Sequence, residues 1–272
     1  MLDQIAFISI VAATGIGAYT DWKTGYIYDW VTYPLIGIGI LLSILTGKWE
    51  GIAMGTGVMG IGYLIYRTGK MGGGDVKLLA GISTVQPFFM GMIFPFAVLF
   101  IAALSASIAF SLYYVGRYIR MKPKIDWNTP QRKKAGMMLA GTGILLYLLW
   151  AQGNYSISGL GFMSIALVMG IIFYAFEEEI KKNIFLERIT INQLEEDEVV
   201  AGEMLTEEEK KKWGKKIPAL VGVNDIPQLK QMGFSTIPVY RNLPKFAPFL
   251  FLGVLITYFF PEWTLNIVPS FL

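Results

Sequence analysis

The chain has 272 residues, of which 54% are hydrophobic and 16% charged, with a net charge of +3 and a mean hydropathy of +0.51. A soluble domain carries about 25% charged residues, so the composition points to a membrane protein, and a surplus of +3 is too small to argue for a nucleic-acid partner. Cysteine and histidine are both absent, which excludes a disulfide framework, the usual ligands of structural zinc and the usual general base of serine and cysteine hydrolases.

The elements follow from where charge is missing. Runs 4–20, 30–47 and 51–66 hold no charged residue, and each predicts one membrane helix, since about 20 apolar residues cross the hydrocarbon core and about 17 is the lower limit. The N-terminal run lacks a basic flank and has Asp3 as its early charge, so it reads as a first span rather than a secretory signal. Run 78–116 has 39 residues, enough for two helices with a turn at Pro87 or within 90–95. Run 135–176 has 42 and predicts a second pair, turning at Gln152, Gly153, Asn154 and Ser156. Run 246–261 supplies the last helix, making eight. Helices are expected because backbone in lipid must satisfy its own hydrogen bonds, and none of the runs alternates as a barrel strand would.

Basic residues favour the cytoplasmic side. With the N-terminus outside, the inside loops are 21–29, 67–77, 117–134 and 177–245, and they hold 1, 3, 7 and 11 Lys or Arg, 22 of the 23 in the chain. The expected fold is therefore an all-α polytopic membrane protein of about eight transmembrane helices with a small cytoplasmic α+β appendage at 177–245. Within the appendage, 12 of the chain's 20 carboxylates fall between Glu177 and Glu209, and Lys210, Lys211, Lys212, Lys215 and Lys216 follow. Ile189 to Leu194 alternates like a short strand, residues 217–223 predict another, and Asn224 or Asp225 can cap a helix over 226–232 that Gly233 closes.

Two acids stand at the cytoplasmic face: Asp21 ends the first span and Asp75 begins the fourth, behind Gly72, Gly73 and Gly74. Asp75 can serve simply as a helix cap, and Asp21 as an interfacial residue. A phosphate cradle is excluded by the missing P-loop spacing around Lys70. Two carboxylates brought together cannot both ionise; one activates water while its protonated partner polarises a carbonyl, which suits peptide hydrolysis without histidine, thiol or metal. Glycine before Asp75 leaves room for a substrate strand. Asp29 reads as a cap and polar anchor, Lys77 and Lys23 as cytoplasmic anchors, and Trp22, Trp30 and Tyr66 as an aromatic belt. Gly51, Gly55 and Gly60 are expected to let helices pack closely.

The segment Gly72-Gly73-Gly74-Asp75-Val76-Lys77-Leu78-Leu79-Ala80 resembles the GxGD-Val-Lys-Leu-Leu-Ala motif of the type IV prepilin and preflagellin peptidases, which are aspartyl membrane proteases. Asp21 with Ile27-Tyr28-Asp29 is similar to the family's first motif, with Tyr28 where that motif has proline. The core likeness covers roughly residues 1–115, and the region from the acidic stretch through Pro218-Ala219-Leu220-Val221-Gly222 to the last span looks like the tail of archaeal members.

The resemblance implies that Asp21 and Asp75 are the catalytic pair and that Gly72, Gly73 and Gly74 form a motif loop at the substrate. It implies no cofactor and no metal. With the charge pattern, the expected division is a protease core at 1–116, a basic loop at 117–134, a transmembrane hairpin at 135–176 additional to the family's plan, the charged region 177–245 and a C-terminal helix and tail at 246–272. The implied substrates are preflagellin or prepilin-like precursors with a short basic leader, cut after a glycine at the cytoplasmic face of the cell membrane. Residues 195–209 are expected to help attract that leader by long-range electrostatics. The rival reading is a proton- or cation-coupled transporter using the same two acids; a structural subunit would need neither.

Overall fold

The computed structural model describes residues 1–152, 156–214 and 217–268. Gly153 and Asn154 of the expected turn, Lys215 and Lys216 of the basic run and residues 269–272 of the expected tail lie outside the described residues.

Helices form where charge is missing. They are α1 (Leu2–Thr24), α2 (Asp29–Thr46), α3 (Glu50–Tyr66), α4 (Gly73–Val85) and α5 (Phe94–Phe110), the last running on through a π-helical turn into α6 (Gly116–Arg120). α7 (Pro130–Ala151) and α8 (Ile157–Ala175) follow. Among the described residues, five segments are long and apolar enough to cross a membrane: α1, α2, Phe94–Arg120, α7 and α8. α3 and α4, at 17 and 13 residues, are shorter. So is the apolar helix near the C-terminus.

The ends of the helices have local causes. α1 and α2 stop at Gly25 and Gly47, whose φ values of 79° and 67° are left-handed, where glycine is favoured. α7 starts with Pro130 behind Thr129, whose hydroxyl accepts the Arg132 N–H, and Ser156 caps α8 in the same way. Between α4 and α5 a minimal hairpin pairs β1 (Phe88–Phe89) with β2 (Met92–Ile93), and Met90 and Gly91 take the positive φ of its turn. The chain therefore reverses within the expected region.

α4 lies in the middle of the bundle, packed on α2 and α3. Three glycines of α3 permit this. A Cβ at Gly51 or Gly55 would run into Thr84, and one at Gly62 into Val76. Gly60 faces open space, which corrects the expectation of close packing there. Residues 51, 55 and 62 recur at about 3.6 and so share a face, while 60 falls on the other side. Gly55→Ala is expected to lower stability by about 1–3 kcal/mol through overpacking, read as a lower melting temperature of the detergent-solubilised protein. Gly57→Ala, in open space, should leave it unchanged.

After α8 come a one-turn helix α9 (Glu177–Ile180), β3 (Leu186–Thr190), β4 (Val199–Val200), α10 (Glu207–Trp213), α11 (Asp225–Gln231) and β5 (Thr236–Tyr240). β5 is the centre of an antiparallel sheet ordered β3-β5-β4, with Leu186 opposite Tyr240 and Val200 opposite Val239. Trp213, Val221, Leu229, Ile237 and Val239 fill a core beneath it. The expected strand at 189–194 begins earlier and ends at Thr190. The one expected at 217–223 reduces to a single bridge between Leu220 and Val199. The helix after Asn224 forms as expected and Gly233 follows it with φ 69°. In α10, Thr206 and Glu209 make a capping box, and the Arg188 guanidinium that Glu209 accepts from holds its carboxyl down to about 2.

Two further contacts tie this portion to the helices. Phe176, Ile180, Phe185 and Tyr240 pack with Val115 and Tyr118. Buried Arg132 bonds the Asp126 backbone oxygen and, at 2.5 Å, Glu179, with its guanidinium over Phe176. The chain ends in α12 (Ala247–Phe259), which lies between α1 and α5, and α13 (Pro261–Leu265). The four loops expected on one side do converge. Lys77 meets Asp29, Tyr26 meets Glu195, Gly69 lies by Ala219, and Arg132 meets Glu179.

Candidate active site

Asp21 belongs to the last turn of α1 and Asp75 to the first turn of α4. The helices meet where Gly17 lies against Leu78: a Cβ at 17 would stand 3.3 Å from a Leu78 methyl. Gly17 is one turn before Asp21 and Leu78 one turn after Asp75, so each acid shares the face of its contact residue. Gly74 in turn lies against Ile27, so α4 runs back along α1 in the opposite direction. The two acids therefore stand at one level, on facing surfaces, and the Asp21 charge acts directly on the Asp75 carboxyl.

Their surroundings differ. Asp21 is 7% exposed, and its Oδ2 accepts the Ala247 N–H at 3.1 Å. Lys245 donates to the Trp22 carbonyl at 2.6 Å, and its charge reaches Asp21. Asp75 turns Oδ2 back over Gly72, while its Oδ1 is buried without a hydrogen-bond partner. Oδ2 lies where it can cap the helix start at Gly72, and Oδ1 is left as a buried oxygen that the cap does not use.

The three glycines before Asp75 all have a spatial reason. Gly72 precedes the helix in extended backbone, and a side chain there would press on Asp75 Oδ2 at 2.9 Å. At Gly73 a Cβ would touch the Tyr66 ring at 3.4 Å, and at Gly74 it would stand 2.8 Å from Ile27 Cβ. The room expected for a substrate strand is thus taken by Ile27 at Gly74, while Gly72 is exposed.

Asp29 is not brought to the pair: Lys77 holds it at 2.5 Å and also lies over the Tyr33 ring. Lys23 lies over Tyr19, and Trp22 and Trp30 are exposed as a belt would be. Tyr66 does more than anchor: its hydroxyl donates to Asp197, as Tyr26 does to Glu195 at 3.2 Å. Burial, and then the Glu195 carboxylate, push the Tyr26 phenol above its usual range. The loop 195–198 is thereby held beside both segments that carry the acids.

Among the described residues, no three acidic side chains gather as a metal site would require. Sequence reasoning missed Lys245 and Ala247, whose one visible signal is that Lys245 is the last charge before an apolar run. Chemically, two facing carboxyls with one oxygen fixed by a donor and another left free can take a proton from water and give one to a carbonyl.

Residues 7–111 match the type IV leader peptidase family. Over 105 residues the chain is 31% identical to the prepilin peptidase EppA of Methanothermobacter thermautotrophicus, an alignment covering 33% of this chain and 27% of that protein. The chain thus matches about a quarter of the length of this curated relative. No solved structure matches the chain. The resemblance to the prepilin peptidases read around Asp75 is borne out, and the matched segment contains both Asp21 and Asp75.

Proposed function

We propose, from the match of residues 7–111 to the type IV leader peptidase family, that this chain is a membrane aspartic endopeptidase. It removes the short basic leader from prepilin-like precursors, archaellin precursors included, at the cytoplasmic face of the cell membrane. The observation that carries the reading is the packing of α1 on α4 at Gly17 and Leu78, one turn from Asp21 and from Asp75, with Asp75 Oδ1 buried and unpartnered.

In this reading one carboxylate takes a proton from water as the water oxygen bonds to the scissile carbonyl carbon. The other, protonated, gives its proton to the carbonyl oxygen, and a tetrahedral diol forms. The diol then collapses: the C–N bond breaks, the leaving nitrogen takes the proton that the base removed from water, and the second acid recovers its own. Each carboxyl ends as it began. The concentration of Lys and Arg in the loops at this end supports a cytoplasmic active face and a bilayer crossed by the helices.

The test is co-expression with a precursor bearing a basic, glycine-ended leader. The wild-type chain shortens it by the length of the leader. A membrane-inserted precursor that keeps its full size beside an accumulating wild-type chain overturns the reading.

The acidic loop supports a basic leader, with a refinement. Glu198 is paired with Arg241 at 2.5 Å, whereas Glu195 and Glu196 are exposed and have no ion-pair partner among the described residues, Glu195 accepting only the Tyr26 hydroxyl. Glu195→Gln with Glu196→Gln is expected to raise the apparent KM about two- to fivefold at low salt and to have no effect at high salt, where screening removes long-range attraction. An unchanged KM in steady-state processing at all salt concentrations removes the loop from leader capture.

A further inference from the structure

We propose that the first turn of α12, outside the segment matched to the leader peptidases, is a clamp that fixes the Asp21 carboxylate, with Lys245 and the Ala247 amide as its positioning groups. The clamp deepens the proposed function and rests on it for its catalytic meaning.

The backbone of α12 dictates the contact. The first four N–H groups of a helix have no acceptor in the preceding turn. Here Pro248 has no N–H, and Phe249 and Leu250 both donate to the Phe246 carbonyl. That leaves the Ala247 N–H. Ala247 is fully buried, so water cannot serve it, and Asp21 Oδ2 accepts it at 3.1 Å. The positive end of the helix dipole points the same way and favours a carboxylate there.

A second contact is independent of the first. Lys245, two residues earlier, donates to the carbonyl of Trp22 at 2.6 Å. It grips the residue next to Asp21 and brings its ammonium to the same place. One side-chain cation and one backbone amide of the C-terminal segment therefore converge on one turn of α1. Asp75 has no such donor on its Oδ1. Asp21 is thereby held by a donor from a second segment with a cation beside it, whereas Asp75 meets only its own helix start at Gly72, so Asp21 is suited to take the proton from water and Asp75 to keep one.

Amide hydrogen exchange on the full-length protein in detergent tests the clamp without reference to activity. Asp21→Ala should speed exchange of the Ala247 amide at least about tenfold, since nothing else accepts it. Asp21→Asn, which retains an acceptor oxygen, should leave it close to wild type. Equal exchange in wild type and Asp21→Ala overturns the proposal.

Kinetics then test its catalytic use. Lys245→Met should lower kcat about tenfold with KM unchanged, as expected for a misplaced base rather than lost substrate binding. Lys245→Arg should recover most of it. A raised KM with unchanged kcat makes Lys245 a substrate contact and overturns its positioning role. If the wild-type chain processes no precursor, the proposed function fails, while the exchange result still decides the clamp.

Discussion

Asp21→Ala and Asp75→Ala are each expected to reduce precursor processing to background, a loss of at least about a thousandfold, with the protein still accumulating in the membrane. The size follows from the work asked of each group, since a positioned acid or base contributes about 10²- to 10⁴-fold and neither carboxyl has a substitute nearby. The two act as one unit, so the double variant should be no worse than either single one.

The variants should differ in stability. Asp75→Ala removes a buried oxygen that has no partner, which relieves a desolvated group, and its melting temperature should equal or exceed that of the wild type. Asp21→Ala leaves the buried Ala247 N–H without an acceptor and should cost about 1–3 kcal/mol. Processing followed by gel mobility, with thermal unfolding of the same preparations, checks both parts. Normal processing by either variant removes the pair from the mechanism.

Gly74→Val should have the second-largest effect, a fall in kcat/KM of about a hundredfold with a much smaller change in melting temperature. A Cβ at 74 would stand 2.8 Å from Ile27 Cβ and 3.2 Å from the Ile27 carbonyl. A branched side chain must therefore push the start of α4 away from the loop that follows α1. Asp75 is the next residue, so the displacement falls on the distance between the acids. A misplacement of about 1 Å is enough to cost roughly a hundredfold. Most of α4's core contacts, through Leu78, Leu79 and Ile82, lie further along, and so the bundle should persist. Unchanged kinetics would show that the Gly74 contact does not set the active spacing.

Much of this was legible in the sequence because membrane helices write themselves in runs without charge. The uncharged stretches became helices, and the basic loops that shared a sign rule meet at one end, as Lys77 with Asp29 and Arg132 with Glu179 show. The acids were legible through the glycines before Asp75, although the reason for the glycines was not. They face Ile27, Tyr66 and Asp75 itself, contacts that depend on the fold.

Three features escaped for identifiable reasons. Lys245 and Ala247 reach the end of α1 across more than 220 residues, and no local pattern marks a backbone amide as a partner. β5 was hidden by Pro238, which argues against a central strand. It is tolerated because it faces Ala201, just past the two residues of β4, where its carbonyl accepts the Ala201 N–H and β4 has ended, so that no N–H is needed in return. Gly60 was grouped with Gly51 and Gly55 by composition, whereas helical phase puts Gly62 on their face instead.

The central claim is that this chain itself cuts the leader with Asp21 and Asp75. It is tested most directly by reconstituting the purified protein in liposomes with a purified precursor and identifying the products by mass spectrometry. The account predicts two products that meet at the glycine ending the leader, formed by the wild-type chain and absent with the double variant Asp21→Asn, Asp75→Asn. Cleavage at that bond by the double variant, or an intact precursor with the wild-type chain, would contradict it.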